Sequence, residues 1–66
     1  MNFLVLGSGA REHIIAHKLS ESGVNIFSVL TNLNPGLMSL SREYLFVENY
    51  KNNLKLIVDF ALMKGV

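Results

Sequence analysis

A short apolar run that ends in a glycine turn constrains the fold of this chain more than any other feature. The run lies in Asn2–Leu6 (NFLVL), and its continuous apolar residues are typical of a strand buried on both faces, as in parallel sheets. Gly7 and Gly9 end the strand, and a helical pattern then covers Ala10–Ser22, where Gly23 stops it. A strand, a glycine turn and a helix in this order predict the start of an α/β fold.

The rest of the chain continues this alternation. Val24–Leu30 is rich in β-branched and aromatic residues and predicts a second strand. A loop follows, in which Asn34–Gly36 (NPG) is a strong turn signal. Tyr44–Val47 predicts a third, short strand, and Asn52–Lys64 predicts a last helix. The order predicts a three-stranded parallel sheet with right-handed crossover helices.

Both predicted long helices have more apolar surface than one sheet face covers. In the first helix, Ile15, Ala16 and Leu19 are expected to face the sheet, and Ile14 lies off that stripe. The last helix has two apolar stripes, and a helix that is apolar on both sides is usually buried on both sides. The main stripe contains Leu54, Ile57, Val58, Ala61 and Leu62, and the opposite one contains Leu56, Phe60 and Met63.

The chain is small for this amount of apolar surface. It has 66 residues, of which 50% are hydrophobic, and it contains no cysteine. A domain of this size buries only roughly 60% of its unfolded surface, and neither a disulfide nor a thiolate metal site can compensate. We therefore expect residues 1–66 to be the N-terminal piece of a longer α/β protein. A small subunit that dimerises through these surfaces is the alternative.

Charge and hydropathy exclude several classes of partner. The net charge is +1, and no basic run points to a nucleic acid or an anionic membrane. No apolar run exceeds four residues, which is too short to cross a membrane, and the N-terminus lacks the pattern of a signal peptide. A soluble protein of the cytoplasm is the expectation.

The glycine turn predicts an anion site. Gly7 and Gly9 allow a sharp turn and the close approach of a ligand, and the free N–H groups at the start of the following helix attract negative charge. Ser8 adds a hydroxyl donor, and Arg11 adds a planar guanidinium suited to phosphate. In an open parallel sheet, ligands bind at the carboxyl ends of the strands, where this turn lies.

Two familiar nucleotide motifs are absent. The dinucleotide fingerprint requires a glycine where Glu12 stands, and it requires an acidic residue near Leu30–Asn32, which has none. No Gly-Lys-Ser/Thr sequence completes a P-loop. A strand-to-helix turn without any ligand is the alternative to a phosphate site.

The polar residues of the helix start leave further alternatives. Glu12 either caps free N–H groups or reaches into the ligand crevice. His13 is more typical of a surface or hydrogen-bonding residue than of a metal ligand. His13 and His17 lie one helical turn apart, but no third ligand accompanies them, so no metal site is predicted.

Two strings together resemble a known family. The first is VLGSGAREHIIAHKL, and the second is the NPG just past the second strand. They are similar to the N-terminal domain of the phosphoribosylamine–glycine ligases, also called glycinamide ribonucleotide synthetases. Ala10 stands where that family usually has a glycine.

The resemblance implies an incomplete Rossmann-like domain of the pre-ATP-grasp type over residues 1–66, with the ATP-grasp and C-terminal domains absent. It implies an ATP-dependent ligase of purine biosynthesis that joins 5-phosphoribosylamine and glycine to give glycinamide ribonucleotide, ADP and phosphate. The missing domains would bind ATP and Mg²⁺, the remainder of the polypeptide would be the partner of this segment, and the segment alone would be inactive. No catalytic residue or metal ligand is predicted here. The residues implied to bind the phosphoribosylamine are Gly7, Ser8, Gly9, Ala10, Arg11, Glu12, His13, Asn34, Pro35 and Gly36.

Two other functions stay open on the residues alone. One is a phosphate- or nucleotide-binding α/β module of another family. The other is a non-catalytic small subunit with an empty glycine turn.

Overall fold

A computed structural model describes all of residues 1–66 and shows an α/β fold. Three strands pair in parallel in the order β1-β2-β3, so the predicted sheet is confirmed. Three α-helices accompany the sheet, and a single 3₁₀ turn, Lys51–Asn53, precedes the last of them. The elements are β1 (Asn2–Leu6), α1 (Ala10–Glu21), β2 (Asn25–Leu30), α2 (Pro35–Leu40), β3 (Glu43–Phe46) and α3 (Leu54–Met63).

Most predicted boundaries shift by one or two residues. Helix α1 ends one residue early because Ser22 caps it, and Gly23 then leaves the helix with a φ of +75°. Strand β3 begins at Glu43, and Val47 lies just beyond the strand although its N–H still donates to the Leu30 carbonyl over 2.9 Å. The residues expected to open the last helix form the 3₁₀ turn instead.

The expectation that Asn34–Gly36 forms only a turn in a loop is wrong, because these residues start helix α2. The Asn34 side chain caps the helix by accepting a hydrogen bond from the Leu37 N–H over 3.1 Å. Pro35 occupies the first helical position, where its missing N–H costs nothing. Leu37 is fully buried and anchors this short helix in the core.

The core has one cluster on each side of the sheet. On the α1 and α2 side, the buried residues are Val5, Ala16, Ile26, Leu30 and Leu37. On the α3 side they are Val29, Val47 and Ile57. Only β2, the central strand, is enclosed on both faces. The apolar run of β1 was expected to be buried on both faces, but β1 lies at the sheet edge, and Val5 alone is buried there.

The helix faces differ from the predicted stripes. In α1, Ala16 is buried and Leu19 packs on the core, whereas Ile15 is exposed. In α3, Ile57 and Phe60 face the sheet, and Phe60 meets Phe27 edge to face at 6.4 Å between ring centroids. The side chains of α3 that are exposed against expectation are Leu54, Val58 and Leu62. No helix combines the length and hydropathy needed to cross a membrane.

Candidate functional site

The candidate site lies where the carboxyl ends of β1 and β2 meet the start of α1. The glycine turn, Gly7–Gly9, leaves β1 at this edge, and the Gly7 N–H continues the sheet pairing by donating to the Val29 carbonyl over 3.2 Å. Gly7 is buried and has a φ of +134°, a conformation that side chains of L-residues rarely adopt. The turn therefore requires glycine at this position.

The carboxylate of Glu12 lies over the glycine turn. A Cβ atom at Gly7 would collide with the Glu12 side chain, and a Cβ at Gly9 would lie 3.0 Å from Glu12 Oε2. Gly9 is the N-cap residue of α1, and no side chain caps it. The Glu12 carboxylate therefore lies against the glycine turn and accepts no hydrogen bond from the helix start, which argues against the capping alternative. Its contact with a ligand stays a prediction.

The first turn of α1 presents free hydrogen-bond donors. The first helical hydrogen bond runs from the His13 N–H to the Gly9 carbonyl over 3.1 Å, so the N–H groups of residues 9–12 have no acceptor in the chain. Arg11 is exposed and forms no ion pair. Ala10, the first helical residue, is also exposed. A helix start with open N–H groups and a free guanidinium favours an anion.

Ser8 joins the turn to the loop that follows β2 through hydrogen bonds. Its Oγ accepts hydrogen bonds from the N–H groups of Thr31 and Asn32 over 2.9 and 3.2 Å. Its carbonyl accepts a third hydrogen bond, from Asn34 Nδ2 over 2.9 Å. The Ser8 hydroxyl proton stays available for a ligand, but both Oγ lone pairs serve the fold. The backbone donors of Thr31 and Asn32 were not predicted as site residues, because nothing in the sequence indicates that they bind Ser8.

The two sequence motifs meet in space. Asn34 reaches the glycine turn through Ser8, and Gly36 packs against the imidazole ring of His13. Pro35 lies between them at the exposed start of α2. The structure thus brings all ten predicted residues, 7–13 and 34–36, to one corner of the sheet.

Replacing Asn34 with alanine is expected to lower the free energy of unfolding by about 1–2 kcal/mol, because the change removes both a helix cap and the hydrogen bond to Ser8. Asn34→Asp retains the capping oxygen and loses only the donor to Ser8, so we expect a smaller loss. Asn49→Ala is the matched control, since the Asn49 side chain also accepts from a backbone N–H three residues on, that of Asn52 over 2.8 Å, away from the glycine turn. Urea unfolding followed by circular dichroism measures all three. Equal losses for Asn34→Ala and Asn34→Asp would contradict a contribution from the cap.

The histidine pair of α1 has no third metal-ligating side chain beside it. No three His, Cys, Asp or Glu side chains lie together in the structure. His17 Nε2 lies 3.6 Å from Glu21 Oε1, one turn along the same helix. A shallow groove of about 340 Å³ lies beside these histidines, between His13, Ile14, His17 and Lys18, on the outer side of α1. It is open to solvent, and no residue of the glycine turn lines it.

Comparison with known proteins adds a family match over the whole chain. Residues 1–66 match the family described as "Phosphoribosylglycinamide synthetase, N domain". Among curated proteins, the chain is similar to the phosphoribosylamine–glycine ligase of Pyrococcus horikoshii, with 33% identity over 66 residues that cover all of this chain and 15% of the relative. The same-named proteins of Methanoregula boonei and Methanosphaera stadtmanae are 39% and 38% identical, again over the whole chain and 15% and 14% of the relatives. The chain therefore spans about one seventh of the length of these relatives. No solved structure matches it.

Proposed function

The chain belongs to the phosphoribosylglycinamide synthetase N-domain family, and from that premise we propose that it forms the N-terminal part of a phosphoribosylamine–glycine ligase. In this proposal the whole protein joins 5-phosphoribosylamine to glycine in purine biosynthesis, in the cytoplasm. ATP supplies the activation of the glycine carboxylate, and glycinamide ribonucleotide, ADP and phosphate are the products. Residues 1–66 contribute to the binding of the phosphoribosylamine.

In this proposal ATP and Mg²⁺ bind in other parts of the ligase. The sequence of this segment has no P-loop, which is consistent with that division.

The observation that supports the substrate role best is the open helix start of α1. The free N–H groups of residues 9–12 and the unpaired Arg11 lie at the carboxyl ends of two parallel strands, the usual ligand position in open α/β sheets. A phosphate there gains charge-assisted hydrogen bonds from the guanidinium fork.

Glu12 restricts how a sugar phosphate lies in the crevice. Its carboxylate is over Gly7 and Gly9, and two negative groups repel each other at short range. We therefore place the phosphate on the Arg11 side of the helix start. Glu12 then accepts hydrogen bonds from hydroxyl or amino groups of the substrate, which are donors that match a carboxylate.

Two experiments test the proposal. The full-length protein that contains this segment should release ADP from ATP only when phosphoribosylamine and glycine are both present. In a titration of the isotope-labelled protein with ribose 5-phosphate, the amide signals of residues 9–12 should shift, and unphosphorylated ribose at the same concentrations should leave them in place. ADP release that is independent of the amine would contradict the ligase activity. Equal shifts with both sugars would contradict the phosphate position.

A further inference from the structure

The structure places His13 against Gly36, and neither sequence motif explains the role of this contact. We propose that these two residues form a steric pair that fixes the separation between the starts of α1 and α2, and thereby the width of the crevice beside the glycine turn. His13 is then a positioning residue rather than a ligand-binding or proton-transferring one. The consequence for ligand binding rests on the proposed function, whereas the steric pair itself does not.

Backbone conformation does not explain the glycine at position 36. Positive φ angles occur only at Gly7, Gly23 and Gly65, so Gly36 has an ordinary helical backbone. At such a position alanine is normally preferred to glycine. The space around Gly36 supplies the reason, because a Cβ there would overlap the His13 ring and lie only 2.8 Å from its Nδ1.

The His13 ring is held by packing alone. It forms no hydrogen bond or ion pair within the chain, and it is half-buried. The ring atoms Nδ1, Cε1 and Nε2 occupy the space that a Cβ at position 36 would need. One turn further along α1, the fully buried Ala16 shares a core cluster with Leu37, so the two helices are already fixed at that level. The His13 ring therefore determines how closely the two helices approach each other at their starts.

This separation is transmitted to the glycine turn. Asn34 caps α2 two residues before Gly36, and its Nδ2 donates to the Ser8 carbonyl. A change in the position of the α2 start therefore moves Asn34 against Ser8 or breaks their hydrogen bond. The ring of His13 and the amide of Asn34 together hold the start of α2 in place beside the glycine turn.

The steric pair is tested by the sign of the stability change that Gly36→Ala causes in two backgrounds. With His13 present, Gly36→Ala is expected to lower the equilibrium constant for folding, since overpacking of this kind costs about five- to 150-fold and the preference for alanine recovers only about two- to fivefold. With His13→Ala, the same Gly36→Ala change is expected to raise the constant by about two- to fivefold. A loss of equal size in both backgrounds, or a gain in both, would overturn the pair. Denaturant unfolding of the four proteins provides the values.

Ribose 5-phosphate binding tests the positioning role separately. His13→Ala should weaken binding, and His13→Leu should restore it, because leucine fills a similar volume but offers no nitrogen. If His13→Leu binds as weakly as His13→Ala, the imidazole itself contacts the ligand and the positioning role is wrong. If the unchanged protein binds no ribose 5-phosphate, the proposed function and the crevice role both fail, whereas the reversal of sign in stability still decides the steric pair.

Discussion

Replacing Gly7 with alanine is expected to lower the free energy of unfolding by about 2–5 kcal/mol. Two costs add at this buried position. The φ of +134° strains any residue with a Cβ, at about 1–3 kcal/mol, and the new methyl collides with the Glu12 side chain, for which overpacking costs about a further 1–3 kcal/mol. Thermal or urea unfolding of the variant measures the sum.

Gly23→Ala separates the two costs. Gly23 also has a positive φ, of +75°, but a Cβ there meets nothing within 4 Å. Its substitution should therefore show the backbone cost alone, about 1–2 kcal/mol. In the Glu12→Ala background, Gly7→Ala should cost only the backbone strain, because the collision with the Glu12 side chain is then absent. If Gly7→Ala destabilises the Glu12→Ala variant as much as it destabilises the unchanged protein, Glu12 does not pack on the glycine turn as the structure shows.

The strands and the parallel sheet were predictable because their signals are local. Asn2–Leu6 and the β2 region are compact apolar runs bounded by glycine or polar residues, and strands of this kind need little information from elsewhere in the chain. The alternation with helices then determines that the strands run parallel. The run at Asn2–Leu6 cannot reveal that β1 lies at the edge, because the strand order depends on where each crossover connection places the next strand.

Helix α2 was missed because it is short and its apolar period is too brief to distinguish it from a loop. The signals were present, since Asn34 is a preferred N-cap residue and Pro35 is favoured at the first helical position. The same residue types also predict a turn. The burial of Leu37 decides between a turn and a helix, and this burial depends on the tertiary structure.

The inward face of α3 could not be chosen from its periodicity. Apart from Lys55 and Asp59, which pair on one side, the helix is apolar, so several faces satisfy the same spacing. Phe60 faces inward because Phe27 offers an edge-to-face partner, and Ile57 follows because it packs on Val29 and Val47. Partner shape on the sheet, and not helical spacing, decides this face.

The site residues were predictable as a set, but their contacts were not. Sequence reasoning placed Ser8 as a donor to a ligand, whereas its Oγ accepts from Thr31 and Asn32. The contacts of Glu12 with Gly7 and of His13 with Gly36 join residues whose packing no spacing rule describes. Motif recognition therefore identifies which residues belong together, and only the folded chain shows which of them hold the others in place.

If the full-length protein is the ligase proposed above, replacing Arg11 with alanine is expected to raise its KM for the phosphorylated amine by about 10- to 150-fold. A charge-assisted hydrogen bond to phosphate contributes about 1.5–3 kcal/mol, and its removal weakens the binding of that substrate alone. The KM values for ATP and glycine should stay unchanged. Arg11 is exposed and unpaired, so the stability of the variant should equal that of the unchanged protein. Steady-state kinetics with each substrate varied in turn measures the effect.

Arg42→Ala is the matched control for charge, since Arg42 is the other arginine of the chain and lies at the opposite end of the sheet. Its Nη1 donates to Asn25 Oδ1 over 3.3 Å, and its N–H donates to the Ile26 carbonyl over 2.7 Å. Arg42→Ala should leave all three KM values unchanged, because only a guanidinium beside the free N–H groups of α1 reaches a phosphate there. Arg11→Lys retains the charge without the fork and should give an intermediate KM. A KM for the phosphorylated amine that does not change in Arg11→Ala would remove Arg11 from the site.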